Sequence, residues 1–219
     1  MSMPERITLT CKECGKESEF TIWRSINTTL DPEMKSAVRD RSAFRFTCPH
    51  CGKSSLVNYG FLYHQMEDQI MIYYIQTDEE EKEIRGIFNG KANMPFFEDL
   101  QQDKYLNRIV RSLNQLLEKL AIFDAGMDDR IIEICKVFIL AEYHKQHPDC
   151  GHIELLMYND GDEHIIQVLE DGKPAGGTRL SDEMYNSINE HFAPRLKEIR
   201  DEDEPVIDLA WALNFFKGS

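Results

Sequence analysis

Nowhere in the 219 residues do eighteen apolar residues run together, so no segment reads as a membrane-spanning helix. The opening Met1-Ser2-Met3-Pro4-Glu5-Arg6 lacks a basic stretch leading into an apolar one, as export requires, and a soluble cytoplasmic protein is expected. Also missing are a phosphate-cradling glycine loop, a G-x-S-x-G elbow and an H-E-x-x-H helix, which removes the commonest signatures of nucleotide, serine-hydrolase and metalloprotease chemistry. Basic residues are in deficit, with 25 Lys and Arg against 39 Asp and Glu, a formal net charge of -14. A body of that sign repels a phosphate backbone, so nucleic acid is a disfavoured partner. No tract is biased enough to argue for wholesale disorder. With 42% hydrophobic and 10% aromatic residues, the chain has the apolar surface for a sizeable core.

The charge is unevenly placed. Up to Gly60 nine basic residues face seven acidic ones, whereas beyond it 16 face 32. A nearly neutral N-terminal module followed by an acidic body suits a chain of this length, which exceeds the usual single domain but falls short of two large ones.

Six cysteines in a reducing compartment are more consistent with thiols or metal ligands than with disulfides. Four of them form two pairs, Cys11-Lys12-Glu13-Cys14-Gly15 and Cys48-Pro49-His50-Cys51-Gly52, separated by 33 residues. A two-residue gap lets both sulfurs of a pair face one ion, and four thiolates bind zinc at about 2.3 Å in a closed tetrahedron. The glycine after each pair permits a left-handed turn that aims backbone N-H groups at the sulfurs. The competing reading is two redox dithiols or two disulfides, since an isolated C-x-x-C is also a thioredoxin-type motif. Structural zinc, one ion on Cys11, Cys14, Cys48 and Cys51, ranks ahead of that reading and of iron. Such a site stabilises a fold and activates no water.

The elements around the pairs follow from local pattern. Ile7–Thr10 and residues 19–23 read as strands flanking the first pair; residues 44–47 and 56–59 flank the second. Asp31-Pro32-Glu33 begins a short inserted helix through Met34 and Val38. The apolar run Ile70–Ile75 reads as a covered strand closing the module. The acid run at 78–83, with Gly86, Gly90 and Pro95 after it, marks a linker or an exposed helix start. The fold class expected is therefore α+β, with a zinc-ribbon-like β module with inserted helix over residues 1–77 and an acidic α+β domain over 78–219.

Within the second domain, apolar positions Leu106, Ile109, Val110, Leu113, Leu116, Leu117 and Leu120 make a helical stripe, and Ile131, Ile134, Cys135, Phe138 and Ile139 a second. With Gly126 as a stop and Asp128 as a cap, these predict a helical hairpin over about 104–146. Residues 153–170 predict a β-hairpin turning at Asn159-Asp160-Gly161-Asp162, and 172–177 a flexible loop. Ser181 caps a helix that Pro194 interrupts. Residues 206–216 alternate as a strand would, yet their composition after Asp208 favours helix.

The chain resembles the CpXC family, named for its Cys-Pro-X-Cys motif, which Cys48-Pro49-His50-Cys51 matches. Leu62-Tyr63-His64-Gln65-Met66 is similar to the segment downstream of that motif. Leu117-Glu118-Lys119-Leu120 and residues 126–133 are similar to a helical hairpin of longer members. Lys12 departs from the pattern, standing where the motif has proline. The resemblance implies a metal-binding domain and carries over no catalytic residue.

Outside the cysteine pairs the candidates are weaker. His64 could serve as acid, base or ligand if it faced a cleft, but a lone imidazole is more often satisfied by its surroundings. His144, His147, Cys150 and His152 crowd one segment and could assemble a second metal site, although histidines also collect at helix C-termini for their favourable dipole contact. Cys135 lies on an apolar face and reads as core. The acid runs 79–83 and 201–204 lack the pinned loop of a calcium site and read as solvated. A non-catalytic zinc-ribbon protein that binds another protein or itself is the expected function. The alternatives are an enzyme using His64 or the segment His144–His152, and a nucleic-acid-binding ribbon using Arg24, Arg39, Arg41 and Arg45 beside Trp23 and Phe44.

Overall fold

The computed structural model describes residues 2–88, 105–199 and 204–217. Gly90, Pro95 and the acidic residues Asp201, Glu202 and Asp203 lie outside them. The protein is α+β, and it divides into two compact units, Met1–Leu113 and Asn114–Ser219. Among the described residues no helix is long and apolar enough to cross a membrane.

The first unit is built on a five-stranded sheet. β1 (Met3–Thr10) and β2 (Glu17–Asn27) form a hairpin at one side. β5 (Phe61–Gln65) runs parallel to the end of β2, β6 (Ile70–Tyr74) antiparallel to β5, and β7 (Leu106–Val110) parallel to β6. Between β2 and β5 the chain makes α1 (Glu33–Arg39) and a small two-stranded ribbon, β3 (Arg45–Thr47) with β4 (Ser54–Leu56). Registers align Ile26, Tyr63 and Ile72 side by side across the sheet, all fully buried. From α1, which buries Met34 and Val38, Arg39 donates to the Tyr63 hydroxyl at 2.9 Å. After β6 comes α2 (Asp78–Phe88), whose Phe88 meets Tyr73 edge-on.

Several expectations are corrected here. The stretch from Leu106 is a strand up to Val110, so the first helix of the hairpin begins at Leu113, not near 104. Apolar residues at 106, 109 and 110 suit a buried strand as well as a helical stripe, and pairing with β6 decides between them. That pairing also makes β6 an interior strand rather than a closing one, and it carries the first unit to Leu113, past the break expected after residue 77. The acid run is the start of α2, where carboxylates face the positive end of the helix dipole. β5 carries no strand prediction, because its five residues mix polar and aromatic types.

The second unit pairs helices with a three-stranded antiparallel sheet. α3 (Leu113–Asp124) and α4 (Asp129–Gln146) make the helical hairpin, joined through Gly126 at φ 68° and capped by Asp128, whose carboxylate accepts from Arg130 N. β8 (Ile153–Asp160) and β9 (Glu163–Glu170) form the expected β-hairpin. Residues 172–177 are not a loop: β10 (Lys173–Arg179) pairs with β9, and its bulge near Pro174 and its place at the sheet edge accommodate proline and glycines that argue against a central strand. α5 (Asp182–Leu196) starts at the Ser181 cap and continues through Pro194 to its last turn instead of breaking there. α6 (Leu209–Lys217) resolves the ambiguous segment as helix, with Asp208 accepting from Trp211 N at 2.8 Å. Ile122, Ile131, Ile134, Leu155, Ile166 and Phe215 lie at the heart of this unit's core.

Candidate metal centre

Each cysteine pair sits in the turn of a β-hairpin, and the two turns are built alike. In the first, between β1 and β2, Cys11 N donates to Lys16 O and Gly15 N to Cys11 O, both at 2.9 Å. In the second, between β3 and β4, Cys48 N donates to Lys53 O and Gly52 N to Cys48 O, again both at 2.9 Å. Gly15 and Gly52 take the left-handed conformation at φ 70° and 71°, which a side chain would strain. Lys12 in the proline position of the first turn changes none of these bonds.

The hairpins bring the four sulfurs together. Cys11 Sγ lies 3.6 Å from Cys51 Sγ, and Cys14 Sγ lies 3.7 Å from Cys48 Sγ, with all four within 4.8 Å of one another. A disulfide would require a separation of about 2.05 Å. Four thiolates about 2.3 Å from one central ion require sulfur-sulfur edges of about 3.8 Å, close to those two separations. The cluster therefore fits a single metal ion. Cys11 and Cys48 are buried, packed with Phe46 against Leu9, Phe20 and Val57, while Cys14 and Cys51 face outward. Phe20 and Phe46 meet edge to face at 5.9 Å and so tie one hairpin to the other.

Two of the sulfurs, those of Cys11 and Cys51, are shifted in opposite directions. The backbone N-H groups of Cys14 and then Glu13 lower the Cys11 thiol to about 7. Cys51 receives the Lys53 N-H, which lowers it, yet burial and shared hydrogens with Cys11, Cys14 and Cys48 push it up to about 12. A thiolate at Cys11 is stabilised by these backbone donors, while a second one at Cys51 is disfavoured. A cation held at the centre would favour the thiolate forms, as coordination deprotonates thiols.

The remaining sequence candidates fall elsewhere. His64, on β5, is 6% exposed, its Nε2 has no hydrogen-bond partner among the described residues, and its ring rests edge-on against Tyr105. Burial first, and then the N-terminal charge, lower its pKa to about 4, so it is a neutral imidazole at physiological pH. Phe44 is 1% exposed and packed against Tyr59 and Phe61, which makes it unavailable for stacking on a base, and Arg24 is paired with Glu5 at 2.7 Å. Cys135 is core, pushed up to about 12 by burial. The segment 144–152 does not form a four-ligand site. Cys150 Sγ approaches His144 Nδ1 at 3.3 Å, but His147 stacks on Tyr143, and the four-cysteine cluster is the only group of three or more metal-capable side chains among the described residues.

The sequence reading missed a second polar cluster, buried in the other unit. Lys119 Nζ contacts Asp129 Oδ2 at 2.8 Å and Glu133 Oε1 at 3.5 Å; Lys136 Nζ contacts Glu118 Oε1 at 2.7 Å and Glu133 Oε1 at 2.9 Å. All five residues are at most 4% exposed. Glu118 also accepts from Met157 N, covering a backbone group of β8. Burial raises the pKa of Glu133 against the pull of both lysines. Spacing of three and four along α4 is the one available signal, and a solvated helix face shows the same spacing.

A family model described as CpXC protein matches residues 9–136, more than half of the chain and all four clustered cysteines. No curated protein and no solved structure matches.

Proposed function

The chain belongs to the CpXC family, and from that premise we propose that it is a cytosolic zinc-ribbon protein whose four cysteines hold one structural zinc ion. The observation that carries this reading is the convergence of Cys11, Cys14, Cys48 and Cys51 from two like-built hairpin turns, at separations that suit a four-thiolate ion. Zinc is the ion such a set selects: soft donors, tetrahedral spacing and a cytosolic reducing environment favour it over harder cations, and hairpin turns around C-x-x-C pairs are its structural setting. With all four positions filled by protein, the ion has no site for a substrate or an activated water, so its role is to join the hairpins. The acidic second unit, with its own core, is free to engage a protein partner or another copy of the chain, and the protein acts as an interaction module without catalysis of its own.

Elemental analysis of protein purified without added metal tests the reading. One zinc per chain is expected, falling to a small fraction in a Cys14→Ser, Cys48→Ser double variant. Stoichiometric iron, or a metal-free protein with two disulfides by mass spectrometry, would overturn it.

A further inference from the structure

Cys150 occupies the corner between α4 and β8, and the corner is tied down on both sides. On the helix side, His147 N donates to Tyr143 O at 2.9 Å and Cys150 N to His147 O at 3.2 Å, while the His147 ring stacks on Tyr143 with 4.2 Å between centroids. On the strand side, Gly151 N donates to Glu170 Oε1 at 2.8 Å, His152 N to Asp171 Oδ1 at 3.1 Å, and Asp171 N to His152 O at 2.9 Å. Gly151 lets the Asp171 carboxylate in close: a Cβ there would stand 2.5 Å from Oδ2. In this braced corner Cys150 Sγ lies 3.3 Å from His144 Nδ1, with the thiol partly and the imidazole well exposed. A thiol within hydrogen-bond reach of an imidazole, both open to solvent, is the arrangement of a nucleophile and its base.

None of the other five cysteines shares that setting. Cys135 is sealed in the core, and Cys11, Cys14, Cys48 and Cys51 face one another. We propose that Cys150 and His144 form a thiol-imidazole pair that captures small disulfides, making Cys150 a site of reversible S-thiolation. In the step, Cys150 gives its proton to His144 Nδ1 and its sulfur attacks one sulfur of the incoming disulfide. A bond between Cys150 Sγ and that sulfur forms as the original S-S bond breaks, and the other half leaves as a thiolate, which the imidazolium proton can neutralise. The oxidant is the disulfide itself, so no other redox partner enters. The surroundings select its charge. Asp149 precedes the thiol, Glu170 and Asp171 are held against the next two residues, and the chain as a whole carries a net -14. An uncharged or cationic disulfide is therefore favoured over an anionic one.

The test treats the full-length protein with cystamine or with dithiodipropionate, which are cationic and anionic disulfides of similar size, and follows each cysteine by peptide mass spectrometry. Reading Cys150 on its own peptide keeps the result independent of how the four-cysteine cluster behaves. At pH 7 cystamine is expected to modify Cys150 about tenfold faster than Cys135. His144→Ala and His144→Gln should both slow Cys150 by about fivefold at pH 7 and converge on the wild-type rate above pH 9, where hydroxide takes the place of the imidazole as base. Cystamine should outpace dithiodipropionate, with the gap closing at about 0.5 M salt. An unchanged Cys150 rate in His144→Ala, or full recovery by His144→Gln, overturns the role of the base. A faster reaction with the anionic disulfide overturns the proposed substrate class.

Discussion

Each unit of this protein gathers acidic groups at one point, half-buried thiols in the first and fully buried carboxylates in the second, and the two clusters differ in where their counter-charge comes from. In the first unit four thiols converge on one point, where an ion taken from solution would balance their ionised forms. In the second, three carboxylates are buried together with two ammonium groups from the same chain. The apolar support differs in the same sense. The cysteine turns rest on a patch of Phe46 with Leu9, Phe20 and Val57, whereas the second unit has a continuous core fed by α3 to α6 and by β8 and β9. A ribbon with so little apolar surface is stable when a bound ion joins its hairpins, and a domain with a full core tolerates buried charge because packing holds the partners in place.

Metal removal breaks the comparison most sharply. Binding of a structural zinc by four cysteines contributes about 10 kcal/mol or more of apparent free energy, and in the proposed reading nearly all of it is spent in the two turns. A strong chelator should therefore abolish amide protection in residues 9–18 and 45–56 by hydrogen exchange, while protection in 114–199 changes little. Loss of protection across both units would show that the second does not stand on its own core.

The next effect lies in the second unit. Lys136 bridges Glu118 and Glu133, and truncating one member of a buried ionic cluster costs about 3–5 kcal/mol because the remaining charges are stranded. Lys136→Met keeps the apolar stem and should lower stability by about that amount in urea unfolding followed by a probe in this unit, without loss of bound metal. A change below about 1 kcal/mol would mean that the carboxylates recruit protons or water at little expense.

The contrast between the units also explains what could be read from sequence. The cysteine cluster was legible because two-residue spacing, repeated with a glycine after it, has few meanings besides a shared ion. Three caps were legible for a similar reason: Asp128, Ser181 and Asp208 each accept from a backbone N-H at the start of a helix. The cap expected from Asp31 is absent, because α1 follows Pro32 with no side-chain cap bond. The charge cluster of Glu118, Lys119, Asp129, Glu133 and Lys136 was not legible, since burial of those positions depends on β8 and the helices meeting around them. β7 and β10 were misread on equally physical grounds. Apolar residues at 106, 109 and 110 fit a helical stripe and equally a strand covered on both faces, and a strand rich in glycine and proline is credible only once a neighbour is known to pair with it.

The smallest effect asks whether the two cysteine turns are as equivalent as their hydrogen bonds suggest. Gly15 and Gly52 have nearly the same φ, and a Cβ at either would meet nothing within 4 Å, so alanine there is opposed by backbone conformation alone. That cost is about 1–2 kcal/mol for a left-handed residue. If the turns are interchangeable, Gly15→Ala and Gly52→Ala should raise the rate of metal loss to a chelator by about the same factor, on the order of five- to thirtyfold for that energy. Pro49 stiffens the second turn where the first has Lys12, and a stiffer turn has less freedom to relax around a strained residue. A larger effect at Gly52 than at Gly15 would then assign the second turn as the more rigid half of the site, with the first adjusting to it. A larger effect at Gly15 would instead mean that proline's stiffness does not govern the strength of the grip.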